Sequence, residues 1–134
     1  KEMAVTKRRG PKLVSEDPAV QMRVAEAEAL VGSGRAYVKE VAADVLNTLN
    51  SGEQLSWDQR ATFRLACTYT LDSATSAINM MYKVGGGSAV YKPNQLDRIL
   101  RDIHTAGTHI RFNDLSYISA GKMLMGIDPE DPLF

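Results

Sequence analysis

Cysteine, histidine and tryptophan are scarce in this chain of 134 residues, which contains one, two and one of them. A lone cysteine, Cys67, cannot form an intrachain disulfide, and such sparse use is typical of a reducing, cytoplasmic compartment. The two histidines, His104 and His109, are five residues apart, which places them on different faces of a regular helix. The sequence therefore predicts no disulfide and no shared metal site.

Several catalytic signatures are also missing. The chain has no His-Glu-x-x-His, Cys-x-x-Cys, Gly-x-Ser-x-Gly or Walker sequence, so no apparatus is visible for hydrolytic metal, thiol, esterase or nucleotidase chemistry. Sixteen basic and sixteen acidic residues cancel, so no overall field favours nucleic acid or an anionic membrane. No apolar run approaches the roughly 20 residues that span a bilayer, and no signal-peptide pattern is present. We therefore expect neither nucleic acid nor membrane as a partner, and a cytoplasmic location.

Helical periodicity dominates what is present. Asp17-Pro18 suits the start of a helix, because aspartate caps free N–H groups and proline fits the first turn. One apolar stripe then continues to about Asn50, with residues at steps of three, four or seven: Val20, Val24, Ala27, Val31, Val38, Val41, Val45 and Leu49. Gly32-Ser33-Gly34 interrupts the stripe, which resumes in phase. We therefore predict an unbroken helix with a close-packed neighbour at these glycines.

The next helix is predicted from a capping box, Ser56 with Gln59 three residues later. The segment from Gln59 to Tyr82 contains no glycine and no proline. Apolar and small residues mark two faces of this segment: Phe63, Ala66, Thr70, Ala74, Ala77 and Met81 on one, and Trp57, Ala61, Leu65 and Tyr69 on the other. A helix with two apolar faces is typical of the inside of an assembly. Cys67 lies among these residues and is interpreted as an unreactive, buried thiol.

Two shorter helices complete the predicted fold. Asn94 caps the third, whose apolar stripe is Leu96, Ile99, Leu100 and Ile103 and whose charges form i,i+4 pairs, Asp97 with Arg101 and Arg98 with Asp102. Asn113-Asp114 caps the fourth, which ends at Gly126 and has Gly121 as an expected close-contact position. Four helices with short turns predict an all-α, antiparallel four-helix bundle over residues 17–134. Residues 1–16 are interpreted as an N-terminal arm or a linker from a missing upstream domain.

A sequence pattern from Gly86 to Asp102 carries a family resemblance. It reads Gly-Gly, ten residues, then Arg98-x-x-Arg101-Asp102, and is followed by His109 and by Gly121-Lys122-Met123-Leu124-Met125-Gly126. This pattern resembles the C-terminal helical domain of the acyl-CoA dehydrogenase superfamily. It is nearest to the branch of two-component monooxygenases that use reduced flavin.

The resemblance implies a function for the parent protein. It would hydroxylate an aromatic or heteroaromatic substrate with O2 and reduced FMN or FAD, which a separate flavin reductase supplies. This domain would contribute flavin contacts and the centre of a homo-oligomer, a tetramer in the family. The implied flavin-contacting residues are Arg8, Gly86, Gly87, Ser88, His109 and Ile110.

Within that set, the resemblance gives His109 a catalytic role beside the flavin and the substrate.

Simpler interpretations stay open for each feature. The three glycines also suit a plain connection, the basic run around Arg8 suits a solvated arm, and His109 suits a structural hydrogen bond.

Two other functions remain alternatives. The first is an acyl-CoA dehydrogenase. Dehydrogenases of the superfamily typically carry a catalytic glutamate eight residues after the aspartate at the Asp102 position, where this chain has Ile110, which cannot abstract a proton. A dehydrogenase would therefore need its base elsewhere. The second alternative is a non-enzymatic helical oligomerisation module.

Overall fold

The computed structural model describes residues 8–90, 95–109 and 114–131, and almost all of them are helical. The elements are a short hairpin of β1 and β2 followed by four helices: β1 Arg8–Arg9, β2 Lys12–Leu13, α1 Pro18–Asn50, α2 Trp57–Gly85, α3 Gln95–Gly107 and α4 Asp114–Leu124. The strands pair antiparallel, with Arg8 opposite Leu13 and Arg9 opposite Lys12. Single 3-10 segments cover Val14–Glu16 and Gly86–Val90. The predicted all-α helical bundle is confirmed, with a small β-ribbon added at its start.

Helix α1 begins where the sequence predicted. The side chain of Asp17 accepts a hydrogen bond from the Ala19 N–H at 2.9 Å, and Pro18 occupies the first helical position. The helix then continues for 33 residues, a length of about 50 Å. At its end the Ser51 N–H donates to the carbonyl of Asn47 at 3.1 Å. Local capping chemistry therefore sets both ends of the longest element.

The glycines inside α1 do not interrupt it, and Gly34 explains why the sequence tolerates them. Gly34 is buried, and a Cβ placed there would lie 3.2 Å from the Thr70 Cα on α2. The Thr70 hydroxyl donates to the Gly34 carbonyl at 2.9 Å. Gly32, by contrast, is exposed, and an added Cβ would meet nothing within 4 Å. The predicted close packing is confirmed, and it belongs to Gly34 alone.

Helix α2 is the central element, because each of the other three helices packs against it. Its capping box is formed as predicted: Ser56 N–H to Gln59 Oε1 and Gln59 N–H to Ser56 Oγ, both 3.1 Å. The Gln59 amide also donates to Asp44 Oδ2 at 2.8 Å and to Thr48 Oγ1 at 2.7 Å. The same residue therefore starts α2 and ties it to the end of α1.

Helix α3 packs more shallowly than its apolar stripe predicted. None of its residues is fully buried, and Ile99 is 45% exposed. The predicted ion pairs are present, with Arg98 Nε 3.5 Å from Asp102 Oδ2 and Arg101 Nη2 3.2 Å from Asp97 Oδ2. Both are solvent-exposed, and such pairs each stabilise a helix by only about 0.3–0.5 kcal/mol. The stripe identifies the face of α3 that meets α2, and α1 and α2 together cover that face only in part.

Much apolar surface is left uncovered by this arrangement. The chain has 8941 Å² of accessible surface, whereas a compact monomer of its mass, 14.7 kDa, has about 6,900 Å². More than half of the side-chain surface is exposed at several large apolar residues, including Trp57, Leu115, Ile118 and Met125. No helix within the described ranges is long and apolar enough to span a membrane.

The contrast between Gly32 and Gly34 gives a paired stability prediction. Gly32→Ala adds a methyl group at an open helical position and should stabilise the fold by up to about 1 kcal/mol. Gly34→Ala gains the same helix propensity but presses its methyl group against the α2 backbone, where overpacking costs about 1–3 kcal/mol. Urea denaturation of both variants should show Gly34→Ala to be the less stable. Equal stabilisation by the two substitutions would mean that α1 and α2 do not meet closely at Gly34.

Candidate functional site

The glycine-rich loop begins where α2 ends. Gly86 has φ +56° and ψ −150°, a backbone conformation that side-chain-bearing residues rarely adopt, and its N–H bonds back to the carbonyls of Tyr82 and Lys83. Ser88 Oγ donates to the Gly85 carbonyl at 2.8 Å and tightens the following 3-10 turn. At Gly87 a Cβ would meet nothing within 4 Å. Gly86 is therefore required by the turn, while the backbone at Gly87 borders open space.

The N-terminal hairpin lies at the same end of the molecule. Val14, which directly follows β2, is 2% exposed and packs in one cluster with Val20 and Val84. Val84 is two residues before Gly86, so this cluster fixes the hairpin beside the glycine-rich loop. The backbone of Arg8 lies in that hairpin, while its side chain falls outside what the structure describes. The candidate basic residue and the candidate loop are therefore brought to one end of the bundle.

His109 lies at the opposite end of α3. It follows the helix by two residues, is exposed, and its backbone N–H donates to the Ala106 carbonyl at 3.1 Å. Helix α3 runs back along α2, as shown by His104 Nε2, which is 3.4 Å from Asn79 Oδ1. Its 13 residues span about 20 Å. The structure therefore separates His109 from Gly87 and Ser88 within one chain. Ile110, the last candidate, lies outside the described residues.

An apolar groove lies beside α3. It runs between α1, α2 and α3, has a volume of about 370 Å³, and is lined by Val24, Ala27, Glu28, Val31, Ala74, Ala77, Ile78, Met81, Ile99 and Ile103. Among the described lining residues, Glu28 is the one that is ionisable. A groove of this composition can bury an apolar surface, but it contains no arrangement of polar groups that would perform catalysis by itself.

Two polar contacts between helices were not anticipated from the sequence. Tyr117 on α4 donates its hydroxyl to Asp72 Oδ2 on α2 at 2.7 Å, and partial burial together with this carboxylate raises the pKa of Tyr117. On the α1 side, the Tyr69 hydroxyl lies 3.4 Å from Ser33 Oγ, and hydrogen bonds with Ser33 and Ser73 lower the pKa of Tyr69. Neither Tyr69 nor Tyr117 carries a sequence signal for its partner, which lies 36 or 45 residues away.

Cys67 agrees with its interpretation as an unreactive thiol. It is partly buried on α2, and burial raises its pKa, an effect that the nearby Arg64 charge opposes. Since the thiolate is the nucleophilic form, a raised pKa keeps this residue in its inert form near neutral pH.

Comparison with known sequences identifies the family. The profile described as "Acyl-CoA dehydrogenase, C-terminal domain" matches residues 2–114. The chain belongs to this family.

An indole-3-acetate monooxygenase from Acinetobacter baumannii is 23% identical to this acyl-CoA dehydrogenase C-terminal domain over 116 residues, which cover 87% of the chain and 30% of the relative. The oxygenase component of an FADH2-dependent resorcinol hydroxylase from a Rhizobium species is 28% identical over 126 residues, covering 90% and 31%. The domain thus spans about a third of the length of these curated relatives.

Solved structures agree on the fold of the domain. XiaF from a Streptomyces species, in complex with FADH2 and glycerol, superposes with a TM-score of 0.90 at 18% sequence identity. The match covers 98% of this chain and 34% of XiaF. The resemblance inferred from the residues between Gly86 and Gly126 is therefore confirmed at the level of family and fold.

Proposed function

We propose that this domain is the C-terminal part of a flavin-dependent monooxygenase that hydroxylates an aromatic or heteroaromatic substrate. The observation that carries the proposal is the similarity to oxygenases over about nine-tenths of the chain. The two relatives are named for indole-3-acetate and resorcinol, which are both aromatic. The family also includes acyl-CoA dehydrogenases, but Ile110 stands where their glutamate typically lies. A dehydrogenase remains the second candidate only if its base lies outside this domain.

The glycine-rich end of the domain suits a flavin contact. The exposed backbone at Gly87, with open space where a side chain would be, lets a large planar or phosphorylated molecule approach closely. We expect Gly86, Gly87 and Ser88 to contact the flavin, with Arg8 supplying a positive charge to a flavin phosphate. When bound, the reduced flavin supplies the electrons that activate O2 for transfer of one oxygen atom to the substrate.

His109 is proposed as the catalytic residue. Imidazole is the side chain that most often gives or takes a proton in catalysis, and His109 is exposed on the domain surface, where a substrate can reach it. In the chain, α3, a helix about 20 Å long, lies between His109 and the loop that contains Gly87. We therefore infer that His109 and the glycine-rich loop contact either the two ends of an extended flavin dinucleotide or two flavins held by different subunits.

The second of these arrangements requires a homo-oligomer, for which the domain provides surface. Its accessible area of 8941 Å² exceeds the roughly 6,900 Å² of a compact monomer, and several large apolar side chains are exposed. We propose a homotetramer with a separate flavin reductase as partner, in a cytoplasmic setting. The Rhizobium relative is itself named as one component of a hydroxylase. A purely structural oligomerisation module would bury the same apolar surface between subunits, but His109 and the glycine-rich loop would have no role in it.

The proposed activity can be tested with the full-length protein. Supplied with a flavin reductase, NADH, O2 and a panel of phenols and indoles, it should yield products heavier by one oxygen atom in mass spectrometry, with that atom derived from 18O2. Acyl-CoA thioesters should remain unchanged. Oxidation of an acyl-CoA to its enoyl form without oxygen incorporation would favour the dehydrogenase.

His109→Ala should separate a catalytic role from a structural one. Loss of a positioned acid–base group typically lowers a rate by about 10²–10⁴, so hydroxylation should fall while hydrogen peroxide release per NADH rises. The matched control is His104→Ala, five residues earlier on α3, which should hydroxylate like the wild type. Both variants are checked for flavin binding and for circular dichroism. Unchanged coupling and turnover in a folded His109→Ala protein would contradict the proposal.

Gly87→Val should weaken flavin binding without unfolding the protein. The backbone φ at Gly87 is not positive and the added side chain meets no protein atom, so the fold should tolerate it. A bound flavin at this backbone would be displaced, and overpacking of about 1–3 kcal/mol corresponds to a rise in Kd of roughly 5-fold to 150-fold. Gly32→Val, at another exposed glycine without contacts, is the control. Equal flavin affinity in the two variants would remove Gly87 from the site.

A further inference from the structure

The segment after α4, residues 126–131, is folded back along the helix by a series of specific turns. Gly126 has φ +74°, and the Ile127 N–H donates to the Lys122 carbonyl at 2.9 Å. Asp128 Oδ1 accepts the Glu130 N–H at 2.8 Å, and Glu130 has φ +54°. A non-glycine residue at positive φ is uncommon and persists only when the surrounding structure holds it. Residues 126–131, which we name the C-terminal strap, are therefore a built element.

One carboxylate oxygen joins the strap to two helices. Asp131 Oδ2 accepts a hydrogen bond from Ser119 Oγ on α4 at 3.1 Å and lies 4.0 Å from Arg64 Nη2 on α2. Arg64 is 9% exposed and Ser119 is 7% exposed. At 4.0 Å the guanidinium and the carboxylate attract each other by charge, and burial strengthens that attraction relative to a surface pair. The contact therefore brings together α2, α4 and the strap at a single buried point.

We propose that Asp131, Ser119 and Arg64 form a latch that holds the C-terminal strap and the last turns of α4 on α2. Helix α4 has only 11 residues, and helices of that length are marginal in water without tertiary contacts. Several of its large side chains face solvent, including Leu115 at 63% and Ile118 at 56% exposure. It docks on α2 through a buried face that comprises Ser116, Ser119, Ala120 and Met123, and the latch adds the buried charge of Arg64 to these contacts.

The latch also shapes a cleft at this end of α2. The strap residues Gly126, Ile127 and Asp128, together with Met123 of α4, face Trp57 and Asp58 across a space of about 370 Å³. Release of Asp131 would remove one wall of this cleft and uncover more of the indole, which is already 59% exposed. The strap is thus a conformational device whose opening changes the surface beside Trp57 while leaving the α1–α2 pair in place.

Hydrogen exchange of the full-length protein, followed by mass spectrometry, tests the latch. Asp131→Asn removes the carboxylate charge, and because hydrogen bonds to charged groups are among the stronger ones, exchange in peptides covering residues 119–131 should accelerate by about tenfold or more. Peptides from α1 should be unchanged. The control is Glu130→Gln, which removes the same charge from the neighbouring exposed residue and should exchange like the wild type. Equal acceleration by both substitutions, or no change in Asp131→Asn, would overturn the proposal.

A double substitution tests whether Arg64 is the partner through which Asp131 acts. Arg64→Met alone should accelerate exchange of the strap, and adding Asp131→Asn should then have much less effect than it has in the wild type. If Arg64→Met loses its helical circular dichroism, Ser119→Ala takes its place in the same cycle. Fully additive effects of the two substitutions would show that Asp131 is held independently, and the latch would be wrong.

Discussion

The close approach of α1 and α2 at Gly34 and Thr70 is the contact on which the arrangement depends. It allows two helices of 33 and 29 residues to lie together over much of their length, and Gln59 fastens the other end of the pair through Asp44 and Thr48. A Cβ at Gly34 would lie 3.2 Å from the Thr70 Cα, which is tighter than ordinary van der Waals contact, so a side chain there would push the two helices slightly apart. Because α3 and α4 pack on α2, the positions of the glycine-rich loop and of His109 follow from this pair.

The separation of the candidate residues follows from the same geometry. Helix α2 ends at the glycine-rich loop, and α3 returns along it, so residues that follow α3 lie a full helix length from that loop. His109 and Gly87 therefore lie beyond opposite ends of α3 in the chain. Under the proposed function, His109 and the glycine-rich loop would therefore contact different ends of one flavin dinucleotide or flavins of different subunits.

The sequence predicted those parts of the structure that short-range chemistry decides. Asp17 and Ser56 cap the helices they were expected to cap, because a cap depends on residues two or three positions away. The spacing of Asp97 with Arg101 likewise predicts an ion pair within one helix.

Features set by distant residues could not be predicted in the same way. Gly34 and Gly121 both lie in helices and both suggested close contacts, yet a Cβ at Gly121 would meet nothing within 4 Å. Which glycine meets a neighbour depends on how helices cross, and a single sequence does not encode that crossing in any local pattern. The contact between Arg64 and Asp131 likewise joins distant parts of the chain, and no sequence pattern near either residue indicates it.

The shallow packing of α3 connects fold and proposed function. An apolar stripe that was expected to be buried leaves Ile99 45% exposed, and the groove beneath it stays open between α1 and α2. Burying apolar surface contributes about 25 cal/mol per Å², so whatever covers this groove in the parent protein would stabilise α3 as well as complete the site. The helix that separates the glycine-rich loop from His109 along the chain would then be held in place by the same contacts that cover the groove.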